Sequence, residues 1–260
     1  MLKSKRHAFL CGITGAGKTS FVKKFVIPVA LKIGLRIIVI DFYGEYEYEA
    51  YPVIPIPRNR LPSIVARTID TTGTFTYLAL YEALRRSTSF REVLDELRKL
   101  MLQYEYRLGA AAALSRLLPL EGRGELTEKI ELYGDVVRWD LSDVDEYARN
   151  LTAAFIVSLL SESITDAVVV AEESQKYWRF SDGATLEARG RKKRVKVIRV
   201  EHSLPVDNTI INYVVVIGNQ GILNEELFYR RYSLPKQIKK LRDMEFLLFC
   251  NGEWYRFSLG

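Results

Sequence analysis

The sequence predicts an α/β fold, in which helices flank a mostly parallel central sheet that ends in an antiparallel hairpin. Short apolar runs typical of buried strands alternate along the chain with segments that have the helical period. One run, Leu35–Phe42, is continuous and rich in β-branched residues, as in a central parallel strand covered on both faces. Near the end of the chain, Asn251-Gly252 separates two apolar runs, which is the strongest short signal for a hairpin.

Length and composition are ordinary for a globular protein. The 260 residues are 48% hydrophobic and 27% charged, so a sizeable core can form without disulfides. We expect a single domain over residues 1–260, with a helical insertion at about 77–133. Cys11 and Cys250 lie in apolar runs and are interpreted as small buried hydrophobes. The two histidines are too few for a metal cluster.

Charge and hydropathy limit the partners and the location. A formal net charge of +6 permits nucleic-acid binding without demonstrating it. No apolar run has the length of a membrane span, and the N-terminus lacks the pattern of a signal peptide. We therefore expect no membrane segment and a cytoplasmic location.

The elements follow from periodicity. Strands are expected at His7–Cys11, Leu35–Phe42, Asp135–Leu141, Ala167–Ala171, Val195–Val200, Tyr213–Ile217, Phe246–Cys250 and Glu253–Phe257. Helices are expected at Ser20–Leu31, through most of Tyr77–Ile130, and at Asp143–Leu160. Ser89 and Glu92 form a candidate capping box. Tyr51–Pro62, with four prolines, is expected to be an extended surface crossing, and Thr68–Thr76 a turn with a short strand.

The stretch Gly12–Thr19 fits the phosphate-binding loop pattern G-x-x-x-x-G-K-[ST] at every required position. A strand, this loop and a helix in that order direct backbone N–H groups and a helix N-terminus at an anion. Lys18 is expected to reach the β- and γ-phosphates of ATP, and the Thr19 hydroxyl to ligate Mg²⁺. The predicted nucleotide-binding residues are Gly12, Ile13, Thr14, Gly15, Ala16, Gly17, Lys18, Thr19 and Ser20. The alternative, a glycine-rich turn that contains Lys-Thr by chance, is disfavoured by the flanking patterns.

Two acids, Glu172 and Glu173, directly follow the apolar run Val168–Ala171. An NTP hydrolase needs a carboxylate near Mg²⁺ and a group that activates the attacking water. We interpret Glu172 as the residue that acts on Mg²⁺ through its waters, and Glu173 as the residue that orients and activates water. Apolar runs that end in acids are common, and two such acids can simply follow a buried strand. The phosphate-binding loop earlier in the chain favours the catalytic interpretation instead.

The run Arg189–Arg194 is the densest basic segment of the chain. A solvated charged turn is the commonest fate of such a run. An arginine that reaches the γ-phosphate of a neighbouring subunit, or contact with DNA phosphates, stays open as well. Glu201 follows the predicted strand Val195–Val200, where a polar residue can sense the γ-phosphate. A carboxylate there would repel phosphate unless it is protonated or paired.

Together these segments resemble the HerA/FtsK superfamily of P-loop ATPases, in a minimal form similar to viral genome-packaging or plasmid ATPases. The similar segments are Gly12–Thr19, Asp41–Tyr46, Trp139–Ser142, Val168–Glu173, Gly190–Lys192 and Phe246–Phe257. The Asp-x-x-Gly-Glu-Tyr element at Asp41–Tyr46 separates this family from other P-loop proteins. The chain departs from its relatives at Ser174-Gln175, where they usually have Ala-His, and at Glu201, where they usually have a sensor glutamine.

The resemblance implies a RecA-like ATPase core, a homo-oligomeric ring that is usually a hexamer, and ATP-driven movement of double-stranded DNA. It implies Arg191 as the arginine finger, and Asp41, Glu45 and Glu201 as candidates for supporting the metal or sensing phosphate. If the chain is viral, its location would be the host cytoplasm. An ATPase for protein transport or assembly without DNA contact stays open, because relatives with this core drive conjugation and secretion. A small-molecule kinase shares the loop, but it would not need the water that the Glu172-Glu173 pair is expected to activate.

Overall fold

The computed structural model describes residues 6–69, 73–202, 213–219, 241–250 and 253–259. The strands are β1 (Ala8–Cys11), β2 (Arg36–Asp41), β3 (Ile54–Pro57), β4 (Gly124–Thr127), β5 (Val136–Asp140), β6 (Ala167–Glu172), β7 (Val195–Glu201), β8 (Val214–Ile217), β9 (Glu245–Cys250) and β10 (Glu253–Ser258). The α-helices are α1 (Lys18–Phe21), α2 (Ile27–Lys32), α3 (Leu61–Arg67), α4 (Gly73–Arg85), α5 (Phe90–Leu100), α6 (Arg107–Leu117), α7 (Glu146–Ser163), α8 (Ser174–Tyr177) and α9 (Gly183–Gly190). A π-helical turn (Val22–Val26) joins α1 to α2. Within these described ranges, no helix has both the length and the apolar character needed to cross a bilayer.

The chain divides into two compact units. Unit 1 consists of residues 1–39, 166–174 and 190–260, and unit 2 consists of residues 40–165 and 175–189. The phosphate-binding loop and the two acids at the end of β6 belong to unit 1. The Asp-x-x-Gly-Glu-Tyr element belongs to unit 2.

Unit 1 is built on a sheet with the strand order β10-β9-β8-β1-β7-β6, followed by the first residues of β2. Strand β1 runs parallel to both β7 and β8, and β6 runs parallel to β7. Strands β9 and β10 form an antiparallel hairpin, and β9 is also antiparallel to β8. The predicted parallel sheet with an antiparallel end is therefore confirmed. The turn residues Asn251 and Gly252 lie outside the described residues.

The hairpin packs against the helix that follows the phosphate-binding loop. The ring of Phe21 in α1 lies 5.4 Å from that of Phe246 and 5.8 Å from that of Phe257, measured between centroids. Such aromatic contacts add to the stabilisation that comes from burial alone. The C-terminal hairpin consequently helps to fix the start of the helix on which the loop depends.

Unit 2 contains helices α3 to α9 and a two-stranded parallel sheet of β3 and β4. Its predicted helix at Asp143–Leu160 is confirmed as α7, which Asp145 caps by accepting the N–H of Tyr147. The capping box of Ser89 and Glu92 at the start of α5 is also confirmed. Helix α9 and the pairing of β3 with β4 were not predicted.

Two local predictions in unit 2 were wrong. The proline-rich stretch was expected to cross the surface, but it contains the buried strand β3 (Ile54–Pro57) and the start of α3. Proline is tolerated because alternate N–H groups of β3 face β4, as the bond from Ile54 N–H to the Arg123 carbonyl (3.0 Å) shows. The expected short strand in Thr68–Thr76 is wrong where the structure describes that stretch, since α4 already begins at Gly73.

Candidate nucleotide-binding site

The predicted phosphate-binding loop connects β1 to α1. Gly15 and Gly17 have φ values of +84° and +87°, in the left-handed region that glycine tolerates best. A Cβ atom on Gly17 would also clash with the Met244 sulfur. Thr14 and Gly15 form the exposed crest of the loop, whereas Ala16 is fully buried. The loop thus presents backbone groups rather than large side chains to a ligand.

Lys18 is the first residue of α1. Its ammonium donates to the carbonyl oxygens of Gly12 (2.8 Å) and Ile13 (3.0 Å), so the side chain folds back along its own loop. An ammonium has three donors, and phosphate oxygens would compete with these carbonyls for them. Thr19 and Ser20 follow in the first turn, in which no acidic residue opposes an anion.

Segments remote in the sequence hold the loop through its backbone. The N–H of Gly12 donates to the carbonyl of Glu201 at 3.3 Å, and the next N–H of the loop donates to the carbonyl of Asn219 at 2.8 Å. The N–H of Met244 donates to the carbonyl of the buried loop alanine at 3.3 Å. The ends of β7 and β8 and the start of β9 therefore fix the shape of the loop.

The two acids lie at the end of β6, which is separated from the loop strand β1 by a single strand. Glu172 and Glu173 are each 4% exposed. Strand β7 lies between β6 and β1, with Glu172 beside Val200 and Cys11 beside Glu201. Since parallel strands end at the same edge of a sheet, unit 1 brings the loop, both acids and Glu201 to one edge.

Glu201 is buried and ion-paired. The Arg199 guanidinium donates to its Oε1 from Nη2 at 2.6 Å and from Nε at 3.1 Å. The Ser174 hydroxyl donates to the same oxygen, and Arg199 Nε also donates to Ser174 Oγ at 3.1 Å. An unpaired carboxylate at this position would repel phosphate, but the carboxylate of Glu201 is paired with Arg199. Ser174 in addition connects the end of β6 to the end of β7.

Glu173 combines an unusual backbone with a second side-chain contact. Its φ is +52°, and the left-handed region costs a residue with a Cβ atom about 1–2 kcal/mol. Its Oε1 lies 2.6 Å from His202 Nε2, with the glutamate side chain 5% exposed and the histidine side chain 40% exposed. Such backbone strain persists only where the surroundings fix the conformation.

The basic run forms the end of α9 and the turn before β7. Gly190 is required there, because a Cβ atom would lie 2.9 Å from the Val195 carbonyl oxygen. Arg194 pairs with Asp166 at 2.7 Å. Arg191 is exposed and makes no hydrogen bond or ion pair with any residue that the structure describes.

In unit 2, the Asp-x-x-Gly-Glu-Tyr element is a loop folded around Asp41, which is fully buried. Its Oδ1 accepts the N–H groups of Tyr43, Gly44 and Glu45 at 2.9–3.2 Å, and its Oδ2 accepts the N–H of Tyr46 at 3.1 Å. Four backbone donors on one carboxylate suit an ionised group. Asp41 thus holds this loop, while Glu45 is exposed on it. The phosphate-sensing or metal-supporting roles of the two residues stay predictions.

Arg138 joins this loop to the Trp139–Ser142 segment. Its Nε donates to Asp41 Oδ2 at 2.8 Å, and its Nη2 donates to Asp140. Asp140 in turn accepts the N–H of Ser142 at 2.9 Å. Partial burial raises the pKa of Asp140, but the hydrogen bonds from Ser142 and the nearby arginine charges outweigh it, so its pKa lies below the ordinary value. Two separate segments of the family pattern therefore form one ionic network.

Some residues that support these segments lie outside the motifs and were not predicted. In unit 1 they are Arg199, His202, Asn219 and Met244, and in unit 2 Arg138 holds the loop around Asp41. His202 left a signal, because it makes a second polar residue after Glu201 at the end of a buried strand. Asn219 and Met244 hold the loop through backbone atoms, which leave no trace in residue type.

A glycine loop between a strand and a helix, beside an acid-terminated strand of a mostly parallel sheet, defines the class of RecA-like P-loop NTPases. The sequence matches the model of the family described as the central domain of helicase HerA over residues 3–161. The chain belongs to this family. A comparison with curated proteins finds no match.

Solved structures share the fold at low sequence identity. VirB4 of Thermoanaerobacter pseudethanolicus has a TM-score of 0.69 and 14% identity, covering 98% of this chain and 89% of that chain. Plasmid coupling protein TrwB, in complex with the ATP analogue ADPNP, has a TM-score of 0.71 and 13% identity, covering 98% of this chain and 86% of that chain. Genome packaging NTPase B204 from Sulfolobus turreted icosahedral virus 2, in complex with AMP, has a TM-score of 0.51 and 12% identity, covering 98% of this chain and 98% of that chain.

Proposed function

We propose that this protein is an ATP-hydrolysing motor that assembles into a homo-oligomeric ring, a hexamer, and translocates double-stranded DNA. One observation carries the proposal. In this member of the HerA family, the phosphate-binding loop and the ends of β6 and β7 lie at the same edge of the sheet. The chain's structural similarity to B204, a genome packaging NTPase, and to TrwB, a plasmid coupling protein, supports a DNA-handling motor.

In this proposal, residues Gly12–Ser20 bind the phosphates of ATP. The left-handed glycines direct backbone N–H groups at them, and Lys18 exchanges a loop carbonyl for a phosphate oxygen. No group of three His, Cys, Asp or Glu side chains in the described part of the chain could hold a metal. Mg²⁺ is usually held by one or two protein oxygens together with phosphates and water, and the proposed protein ligands here are Thr19 and Glu172. Bound Mg²⁺ would neutralise charge on the phosphates.

Glu173 is the proposed catalytic residue for water activation. Its buried carboxylate ends the strand next but one to the loop strand, and a positioned carboxylate can accept a proton from the attacking water. Glu201 is proposed to sense the phosphate indirectly, through Arg199 and Ser174, because those two side chains already occupy its Oε1.

Double-stranded DNA is expected to stimulate ATP hydrolysis several-fold, because a translocase couples turnover to its track. The measurement is phosphate release with and without duplex DNA, together with DNA binding at several salt concentrations. Binding through phosphates weakens steeply as salt rises. Absence of both stimulation and salt-sensitive binding would exclude the translocase.

A protein-transport or assembly ATPase is the second candidate, and three exposed apolar side chains close together in the sequence favour it. Leu102, Tyr104 and Leu108 are 88%, 95% and 67% exposed in the segment around the start of α6. Exposed apolar groups of this kind suit a protein client better than a phosphate backbone. ATP turnover that DNA leaves unchanged would support this candidate.

Arg191 is proposed to complete the ATP site of the neighbouring subunit. Arg191→Ala and Lys18→Ala are each expected to lack hydrolysis, and mixing them is expected to restore part of it. In a head-to-tail ring, about a quarter of the interfaces in an equal mixture would pair an intact loop with an intact arginine. Phosphate release by the mixture is the measurement.

Arg194→Ala is the matched control, because this arginine lies in the same turn but pairs with Asp166 of its own chain. It is expected to keep the activity of the unchanged protein. No recovery in the mixture, or equal losses in both arginine variants, would argue against a role of Arg191 in trans.

A further inference from the structure

Two side-chain contacts cross between the ends of β6 and β7. The last paired residues in register are Glu172 and Val200. Beyond them, Ser174 bonds to Glu201, and Glu173 contacts His202. His202, the residue that follows β7, thus holds the carboxylate that is proposed to activate water, and β7 lies between β6 and the loop strand β1.

The two histidines of the chain have different environments. His7 is 3% exposed, and its Nδ1 accepts the N–H of Val197 at 3.1 Å, as expected for a core histidine. The side chain of His202 is 40% exposed, and its hydrogen-bonding and ionic contacts with described residues are confined to Glu173. Packing of the core therefore does not explain the position of His202.

His202 is also tied to the phosphate-binding loop through its backbone neighbour. The carbonyl of Glu201 accepts the N–H of Gly12, at the start of the loop. The contact from His202 Nε2 to Glu173 Oε1 therefore orients the carboxylate relative to the same strand end that anchors the loop. Small errors in such an orientation lower the rate strongly, because the water and the phosphorus must be aligned.

We propose that His202 is a positioning residue for Glu173. This inference rests on the proposed function, in which Glu173 activates water. The imidazole Nε2–H donates to one carboxylate oxygen and fixes the rotation of the carboxylate, so that it meets the water in a productive orientation. In this role His202 acts through Glu173 and not directly on ATP or on the attacking water.

Two substitutions at His202 test whether the position of the hydrogen-bond donor to Glu173 matters, or only the presence of a donor. In His202→Gln the side-chain amide nitrogen can reach the place of Nε2, whereas in His202→Asn it lies near the place of Nδ1. We expect His202→Asn to lower kcat for ATP hydrolysis about tenfold or more, with KM and ATP affinity within about twofold of the unchanged protein. We expect His202→Gln to keep at least about half of kcat. A structural defect would raise KM or lower the melting temperature along with the rate.

The inference is overturned if His202→Asn keeps full kcat, if His202→Gln loses as much as His202→Asn, or if ATP affinity falls in step with kcat. The proposed function fails separately, through a lack of ATP turnover in the unchanged protein or full turnover in Glu173→Gln. An inactive Glu173→Gln beside a fully active His202→Asn would refute the positioning role alone.

A spectroscopic measurement tests the contact without any change at His202. With only two histidines in the sequence, ¹⁵N-histidine labelling of the full chain yields two sets of imidazole nitrogen resonances. Glu173→Gln is expected to shift the Nε2 resonance of His202 and to leave that of His7 in place. Unchanged resonances for both histidines would overturn the contact, and with it the inference.

Discussion

Replacing Glu173 with glutamine is expected to lower ATP turnover by about 10²–10⁴-fold, which is the usual contribution of a positioned general base. The amide keeps the size of the side chain and an oxygen for the contact with His202, but it cannot accept a proton from water. ATP binding is expected to stay at the level of the unchanged protein, because the backbone bonds that anchor the loop run to Glu201, Asn219 and Met244. Steady-state phosphate release and equilibrium binding of ATP are the two measurements.

Two further substitutions control for the loss of a carboxylate. Glu146→Gln removes a largely exposed carboxylate on α7 and is expected to leave turnover unchanged. Glu172→Gln is expected to raise the Mg²⁺ concentration needed for half-maximal turnover, because that carboxylate is proposed to act on the metal. If Glu173→Gln kept more than about a tenth of the rate, Glu173 would not be the general base.

The parts of the site that sequence alone predicted are local in the chain. The loop Gly12–Thr19 has a fixed spacing, because each glycine and the lysine serve one phosphate cradle. The strand that ends at Glu172 is a short apolar run followed by charge. Such patterns are visible because neighbouring residues carry all of the required chemistry.

The parts that sequence alone missed depend on residues far apart in the chain. Strand β3 pairs with β4, with Ile54 beside Gly124. It was not predicted because its alternating prolines cannot donate hydrogen bonds and are therefore usually evidence against a strand. The contact of Glu173 with His202 depends on the pairing of β6 with β7, and no spacing rule connects those two positions. The position of Glu201 after a predicted strand was visible in the sequence, but its ion pair with Arg199, two residues earlier on the same strand, was not.

Replacing Asp41 with asparagine is expected to lower the free energy of unfolding of the protein by about 3–5 kcal/mol, the usual effect of removing one partner of a buried ion pair. Arg138, with 10% of its side chain exposed, would lose a fully buried carboxylate 2.8 Å away. The new amide would also direct donors at backbone N–H groups that now donate to Asp41. Urea unfolding, followed by far-ultraviolet circular dichroism, is the measurement.

Asp140→Asn is the matched control, because it removes the other carboxylate that Arg138 contacts. With 29% of its side chain exposed, Asp140 is partly solvated, so we expect a loss of only about 1 kcal/mol. This order of effects separates two roles for the Asp-x-x-Gly-Glu-Tyr element. If Asp41 holds the loop, Asp41→Asn must destabilise the protein more than Asp140→Asn does. If Asp41 only sensed phosphate, unfolding would be unchanged and the loss would appear in ATP hydrolysis alone.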